Sequence, residues 1–196
     1  MDYKDKVLDG LDELQSSMIL LAHADKDSPI KGKLKLQKIL YLLAYKIDQV
    51  RELSSYEPDM LGPYSETIDE EAEYLKNIGV FTAAEGSISL TNDGKEIAKE
   101  LEKKEKPHVI QYLDNFKRFL NDMSSDELLC YVYSAYPEMI GESVKYNQLL
   151  PKMEDTILNL VKKHKISSER AAELLRKNPD YIIRKLKEKG IPVFSK

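Results

Sequence analysis

The stretch Gly62–Leu101, GPYSETIDEEAEYLKNIGVFTAAEGSISLTNDGKEIAKEL, decides the fold. Gly62-Pro63-Tyr64 reads as a turn into Ser65, whose hydroxyl can cap a following helix. Ile68, Ala72, Leu75 and Ile78 recur at helical spacing and share one face. Gly79 suits the left-handed position that ends such a helix. Val80–Thr82 then reads as a strand, Glu85-Gly86 as a turn, and Ser87–Leu90 as a second strand. Thr91 can cap a second helix that runs to Leu101. The order is helix, two-stranded wing, helix.

Outward from this block the pattern is helical, so the predicted fold class is mainly α. It comprises a winged-helix-like domain with one small β-hairpin, followed by a C-terminal helix-turn-helix-like tail. Leu8, Leu11, Leu14, Met18 and Leu21 predict one helix over residues 3–24, weakened at Gly10, with a loop over 25–33. Leu36, Leu40, Leu43, Ile47 and Val50 predict a broad apolar helix over 34–53, central to the core. Lys31, Lys33, Lys35 and Lys38 near its start read as a solvated face, or alternatively as a phosphate-contacting patch. Pro107 starts a helix through Asn121, and Ser124-Ser125-Asp126 starts another that stops before Pro137. The predicted division is a body over 1–137, a hinge over 138–151 and a tail over 152–196, which begins with a helix from Met153 to His164.

The chain has 196 residues, 42% hydrophobic and 33% charged, which allows a sizeable core and disfavours a membrane protein. Its longest apolar run, Ile39–Tyr45, is 7 residues, against roughly 20 for a bilayer-spanning helix. No secretory signal is visible in MDYKDKVLDGLDEL, and the single cysteine, Cys130, suits a reducing compartment. A cytoplasmic protein without a membrane partner is expected. The net charge of −4 hides an asymmetry: Pro151–Lys196 carries 12 Lys and Arg against 6 Asp and Glu, net +6. Met1–Leu150 carries 18 against 28, net −10. A basic end on an acidic body constrains the partners.

Catalytic and metal chemistry leave no local trace. His23, His108 and His164 lie far apart and are read as lacking partners at i+3 or i+4. There is no CxxC, HExxH, phosphate-binding Gly-rich loop or GxSxG elbow. Cys130, inside an apolar helix, reads as a core residue. No enzyme activity, cofactor or metal is expected, and no catalytic residue is assigned.

In a DNA-binding winged helix, the helix before the hairpin enters the major groove. Here that helix presents Glu66, Asp69, Glu70, Glu71 and Glu73 with Lys76 as the only cation, and the hairpin carries Glu85 and no Lys or Arg. Phosphates would be repelled. Tyr64, Glu66, Asp69, Glu70 and Glu73 are therefore assigned to binding a basic protein. The tail reads the opposite way. Ser167 or Ser168 caps a short helix with Ala171-Ala172 and Leu174-Leu175, Arg176–Pro179 make a turn, and Ile182, Ile183 and Leu186 line a second helix ended by Gly190. Lys163, Lys165, Arg170, Arg176, Lys177, Asn178, Tyr181, Arg184 and Lys185 are the DNA-binding candidates. A short extended segment, Ile191–Ser195, follows.

Four motifs carry a family resemblance: KLKLQKILYLLAY (33–45), GPYS (62–65), EYLKNIGV (73–80) and SLTNDGKEIAKEL (89–101). On these, residues 33–101 resemble the Panacea, or SocA-like, antitoxin domain. The resemblance implies a helical domain that recognises a toxin or another protein. Residues 156–193 resemble a family of small helix-turn-helix proteins proposed as antitoxins, through SSERAAELL (167–175) and KLKEKGIPV (185–193). That family places Gly and an aliphatic residue where this chain has Arg176 and Lys177, and Phe where it has Tyr181. The combined expectation is a non-enzymatic antitoxin-like or transcription-regulatory protein, with a protein-binding body, a DNA-binding tail and homodimeric assembly. The alternatives are a pure protein-interaction module whose tail folds back on the body, and an enzyme whose site assembles only in three dimensions.

Overall fold

The computed structural model describes residues 3–141 and 143–192. The fold is mainly α. The helices are α1 (Tyr3–Gly10), α2 (Glu13–Asp27), α3 (Lys33–Ala44), α4 (Asp48–Ser54), α5 (Glu66–Asn77), α6 (Asn92–Lys104), α7 (Pro107–Asn121), α8 (Ser125–Ala135), α9 (Val144–Leu149), α10 (Met153–Lys162), α11 (Ser168–Leu175) and α12 (Pro179–Glu188). Strands β1 (Glu57–Asp59) and β2 (Gly62–Tyr64) form one small sheet, and β3 (Phe81–Ala84) and β4 (Ser87–Leu90) the wing hairpin. The first ribbon is additional to the one expected hairpin, and Gly62–Tyr64, expected as a turn, is its second strand.

The chain divides into two compact units, Met1–Glu57 with Pro63–Asp122, and Pro58–Gly62 with Met123–Lys196. Helix α8, expected to belong to the body, packs on α10 and α11 in the second unit. Its apolar stripe of Leu128, Leu129 and Val132 is fully buried. The described residues of the stretch expected to be a hinge form a 3-10 turn (Pro137–Met139), α9 and a second 3-10 turn (Leu150–Lys152). The expected extended segment at 191–195 lies outside the described residues beyond Pro192.

In the first unit the decisive block follows its local signals. The Ser65 hydroxyl accepts from Ile68 N–H at 3.2 Å and the Thr91 hydroxyl from Gly94 N–H at 2.9 Å, so both predicted caps are in place. The wing register pairs Phe81 with Leu90 and Ala84 with Ser87, closed by Glu85 and Gly86 at φ 50° and 73°. Two positive φ values are what a two-residue hairpin turn requires.

Two predicted helices are each broken. Residues 3–24 form α1 and α2, because Asp12 starts a new helix with a capping box: Gln15 N–H donates to its carboxylate at 2.7 Å, and Asp12 N–H donates to Gln15 Oε1 at 3.1 Å. Residues 34–53 form α3 and α4, which Ile47, in an extended conformation, separates.

Helix α3 is buried around its whole circumference from Lys35 to Ala44. Lys35 and Lys38 are therefore neither a solvated face nor a phosphate patch. Lys35 Nζ donates to Asn121 O at 2.5 Å and Lys38 Nζ to Pro63 O at 2.6 Å. A buried ammonium requires such acceptors, since unpaired burial would be far costlier. Gln37 completes this polar spine: its Nε2 donates to Ser65 O and Asp69 Oδ1, and its Oε1 accepts from Ser65 N–H. These bonds set the start of α5 on α3.

At its C-terminus α2 ends in three consecutive left-handed residues, Asp25, Lys26 and Asp27, with φ between 52° and 58°. Each such non-glycine residue costs roughly 1–2 kcal/mol. Side chains from elsewhere in the same unit hold the turn. Asp25 N–H donates to Asp114 Oδ1 at 2.6 Å, Arg118 Nε donates to Asp25 Oδ1 at 2.8 Å, and Lys117 Nζ donates to Ala22 O and Ala24 O at 2.7 and 2.8 Å. Burial opposes ionisation of Asp25, but Arg118 and Ser28 outweigh it and hold its carboxyl below the usual range.

Candidate functional site

The second unit presents the helix-turn-helix. Ser167 caps α11 by accepting from Arg170 N–H at 3.1 Å. Ala171, Ala172 and Leu174 on α11 and Ile182 and Leu186 on α12 are buried, and the two helices pack together. The connecting turn is Arg176-Lys177-Asn178. Arg176 ends α11 in the left-handed conformation, φ 53°, a position that glycine occupies without strain. Asn178 caps α12, its Oδ1 accepting from Asp180 N–H at 2.8 Å, and Pro179 fills the first helical position. The cap leaves the Asn178 amide NH₂ as a donor on the exposed side.

Six of the nine predicted DNA-binding residues come together here. Lys177 Nζ, Arg184 Cζ and Lys185 Nζ lie 5.8, 5.5 and 5.8 Å from the centre of the Tyr181 ring. Cation–π attraction of about 0.5–1 kcal/mol per exposed contact gathers these charges around one aromatic plate. The Tyr181 hydroxyl donates to the Glu154 carboxylate at 3.1–3.2 Å, so the ring organises its neighbours and its hydroxyl is already engaged. Arg176, Lys177, Asn178 and Arg184 are exposed. Lys185 is bound to Glu188 at 3.0 Å, and Arg184 only approaches Glu188, at 3.9 Å.

The other three candidates are engaged elsewhere. Lys163 binds Glu127 of α8 at 2.6 Å. Burial would raise the Glu127 carboxyl, but Lys163 and the Ser124 N–H hold it below the usual range. Arg170 pairs with Glu173 at 2.8 Å and lies over the Tyr131 ring. Lys165 is half-buried, and its N–H closes the end of α10 by donating to Leu160 O at 2.9 Å. Sequence reading missed Glu154, which orients Tyr181; Lys187, a further cation of α12, is exposed as the pattern of that helix implies.

In the first unit the predicted protein-binding residues lie on or just before α5. Tyr64, Glu66, Glu70 and Glu73 are exposed. Asp69 is half-buried and held within the unit by Gln37, the Tyr64 hydroxyl at 3.3 Å and Lys33 at 3.5 Å. Beside α5, a groove of ~220 Å³ separates it from the wing.

Among the described residues, no group of three or more His, Cys, Asp or Glu side chains is placed to hold a metal. Cys130 is fully buried, and burial pushes its thiol up to about 11. His23 does have a partner at i+4: its Nδ1 lies 2.7 Å from Asp27 Oδ1, and its Nε2 lies 3.2 Å from Glu102. The spacing His23-x-x-x-Asp27 was the available signal. No helix among the described residues is long and apolar enough to cross a membrane.

No protein-family model matches the chain. No solved structure matches it. It is similar to Protein THALLO of Arabidopsis thaliana, 28% identical over 142 residues, which cover 63% of this chain and 21% of that protein. The chain thus spans about a fifth of that relative's length.

Proposed function

We propose that the second unit binds duplex DNA through the turn 176–178 and α12, while the acidic α5 of the first unit binds a basic protein. The chain then works as a non-enzymatic, antitoxin-like or regulatory adaptor. One observation carries the DNA half: Lys177, Arg184 and Lys185 converge on Tyr181 at the exposed start of α12, beside Arg176 and the free amide of Asn178. Positive charge on the second helix of such a motif suits phosphate contacts that set position, with base contacts made by side chains in the groove. The contrast with α5 supports a division of labour. Between Glu66 and Asn77 that helix carries five acids and one lysine, which repels DNA and attracts cationic protein surface.

The test is the triple reversal Arg176→Glu, Lys177→Glu, Arg184→Glu in the full chain, with binding to a random-sequence 20-base-pair duplex read by fluorescence anisotropy. The expected result is binding by the parent chain and loss of at least a hundredfold in the variant. Equal affinity of both chains would remove the DNA half and leave the protein-interaction reading.

A further inference from the structure

The wing has one free edge. Strand β4 is paired on both sides: with β3, and through Ile88 with Ile30, where Ile30 N–H donates to Ile88 O and Ile88 N–H to Ile30 O, both at 2.9 Å. Because Ile88 directs both backbone groups at Ile30, its pair with Ala83 is of the non-hydrogen-bonded kind. Ala83 therefore points its own N–H and C=O away from β4, and Phe81, two residues back, does the same. No hydrogen bond to the Ala83 backbone occurs on that side among the described residues. Thr82, Ala83 and Ala84 are exposed. Proteins usually blunt such edges with lysine, proline or a bulge. Strand β3, FTAA, is short but carries none of these.

The groove beside α5 reaches this edge. Its lining includes Ala72 and Glu73 of α5 with Phe81, Ala83 and Ile88 of the wing. Asp69 and Lys76 of α5 and Lys33 also line it, Lys33 against Asp69 and Lys76 against Glu73; the floor is apolar, and Glu70 stands exposed on α5 outside the lining. The geometry points to strand addition: an extended, Lys/Arg-flanked peptide segment of a partner protein pairs with Ala83 as a third hairpin strand. Its alternate side chains enter the groove, and its basic residues face Glu70 and Glu73. Main-chain bonds then give affinity and the groove gives side-chain preference. This rests on the reading of α5 as a protein-binding face and names the form of the partner.

The probe is a phage-displayed library of random twelve-residue peptides, panned on the immobilised full chain, with enriched sequences synthesised and measured in solution. Enriched peptides are expected to carry Lys or Arg beside alternating β-branched residues and to protect the Ala83 amide from hydrogen exchange. They should lose at least tenfold in affinity for Ala83→Pro, a substitution compatible with folding because the β3–β4 ladder uses Thr82 and Ala84. N-methylation of alternate peptide amides, which alters nothing in the protein, should also abolish binding. Peptides that bind Ala83→Pro as well as the parent chain, or that tolerate N-methylation in every register, overturn strand addition. If such peptides still lose affinity on Glu70→Lys and Glu73→Lys, the acidic-face reading stands alone. If no sequence is enriched, both fall.

Discussion

Lys117 offers the sharpest energetic prediction for the fold. Its side chain is fully buried, and its ammonium donates to Ala22 O and Ala24 O, close to where α2 turns left-handed. Burial lowers its pKa from 10.5 to about 8, against an upward pull from Asp25, Asp27 and Asp114. A folded value below the unfolded one means that the native state disfavours the charged form. That cost is fully present below pH 8 and is relieved as pH rises from about 8 towards the unfolded value near 10.4. A gap of about 2.5 units corresponds to a cost of roughly 3 kcal/mol at neutral pH. Lys117→Met removes this cost but takes the ammonium donor from two buried carbonyls, at about 1–3 kcal/mol each. Two such losses, about 2–6 kcal/mol together, against a relief of roughly 3 leave a net effect at pH 7 between about 1 kcal/mol of stabilisation and about 3 of destabilisation. The decisive quantity is the pH dependence of the difference. From pH 7 to 9.5 the parent chain should gain about 2 kcal/mol on the variant, by the linkage relation. Urea unfolding of both chains at half-unit pH steps reads this directly. The window stops at 9.5 because Tyr56, held neutral in the fold by burial and by Asp69, titrates near pH 10 once unfolded. Parallel stability curves for the two chains would refute the buried-lysine account.

Two further substitutions test single backbone positions. Arg176→Gly relieves the left-handed strain at φ 53° and should raise stability by about 0.5–1 kcal/mol in thermal unfolding, after the extra unfolded-state entropy of glycine is offset. The same change should weaken DNA binding severalfold, since one cation leaves the surface. Gly94→Ala places a Cβ 2.2 Å from Val80 O, a contact no side-chain rotation removes. It should lower stability by more than about 2 kcal/mol, seen as a shifted urea midpoint, because α6 must move off the wing.

The decisive block was legible because its signals are local. Ser65 and Thr91 each accept the expected N-terminal N–H, and Glu85-Gly86 makes the expected turn; in the tail Ser167, one of two serines expected to cap α11, does so as well. The breaks at Asp12 and Ile47 were missed for different reasons. Asp12-x-x-Gln15 was a readable capping box inside an unbroken apolar stripe, whereas nothing beside Ile47 competes with the helical pattern. Lys35, Lys38 and Lys117 lay beyond any periodicity argument. A lysine can be buried when carbonyls from distant segments meet its ammonium, and that meeting is a property of the tertiary fold. The same limit divided the basic tail. Composition marked nine residues alike, but the acids and rings that engage Lys163 and Arg170 sit mainly on α8, more than 30 residues earlier in the chain. Only the residues of the turn and α12 stay together.

The most direct test of the central claim is the salt dependence of DNA binding by the full chain. Among the described residues, Arg176, Lys177 and Lys187 are exposed cations of the turn and α12 with no ion pair, and exposed Arg184 reaches Glu188 only at 3.9 Å, giving about four phosphate contacts. Log affinity should then fall with log salt at a slope of about −3.6, or roughly 150-fold between 50 and 200 mM. Arg176→Glu, Lys177→Glu and Arg184→Glu together should flatten that slope to near −1. A parent chain that fails to bind the duplex at 50 mM salt, or a slope that the triple variant leaves unchanged, would contradict the assignment of DNA binding to this unit.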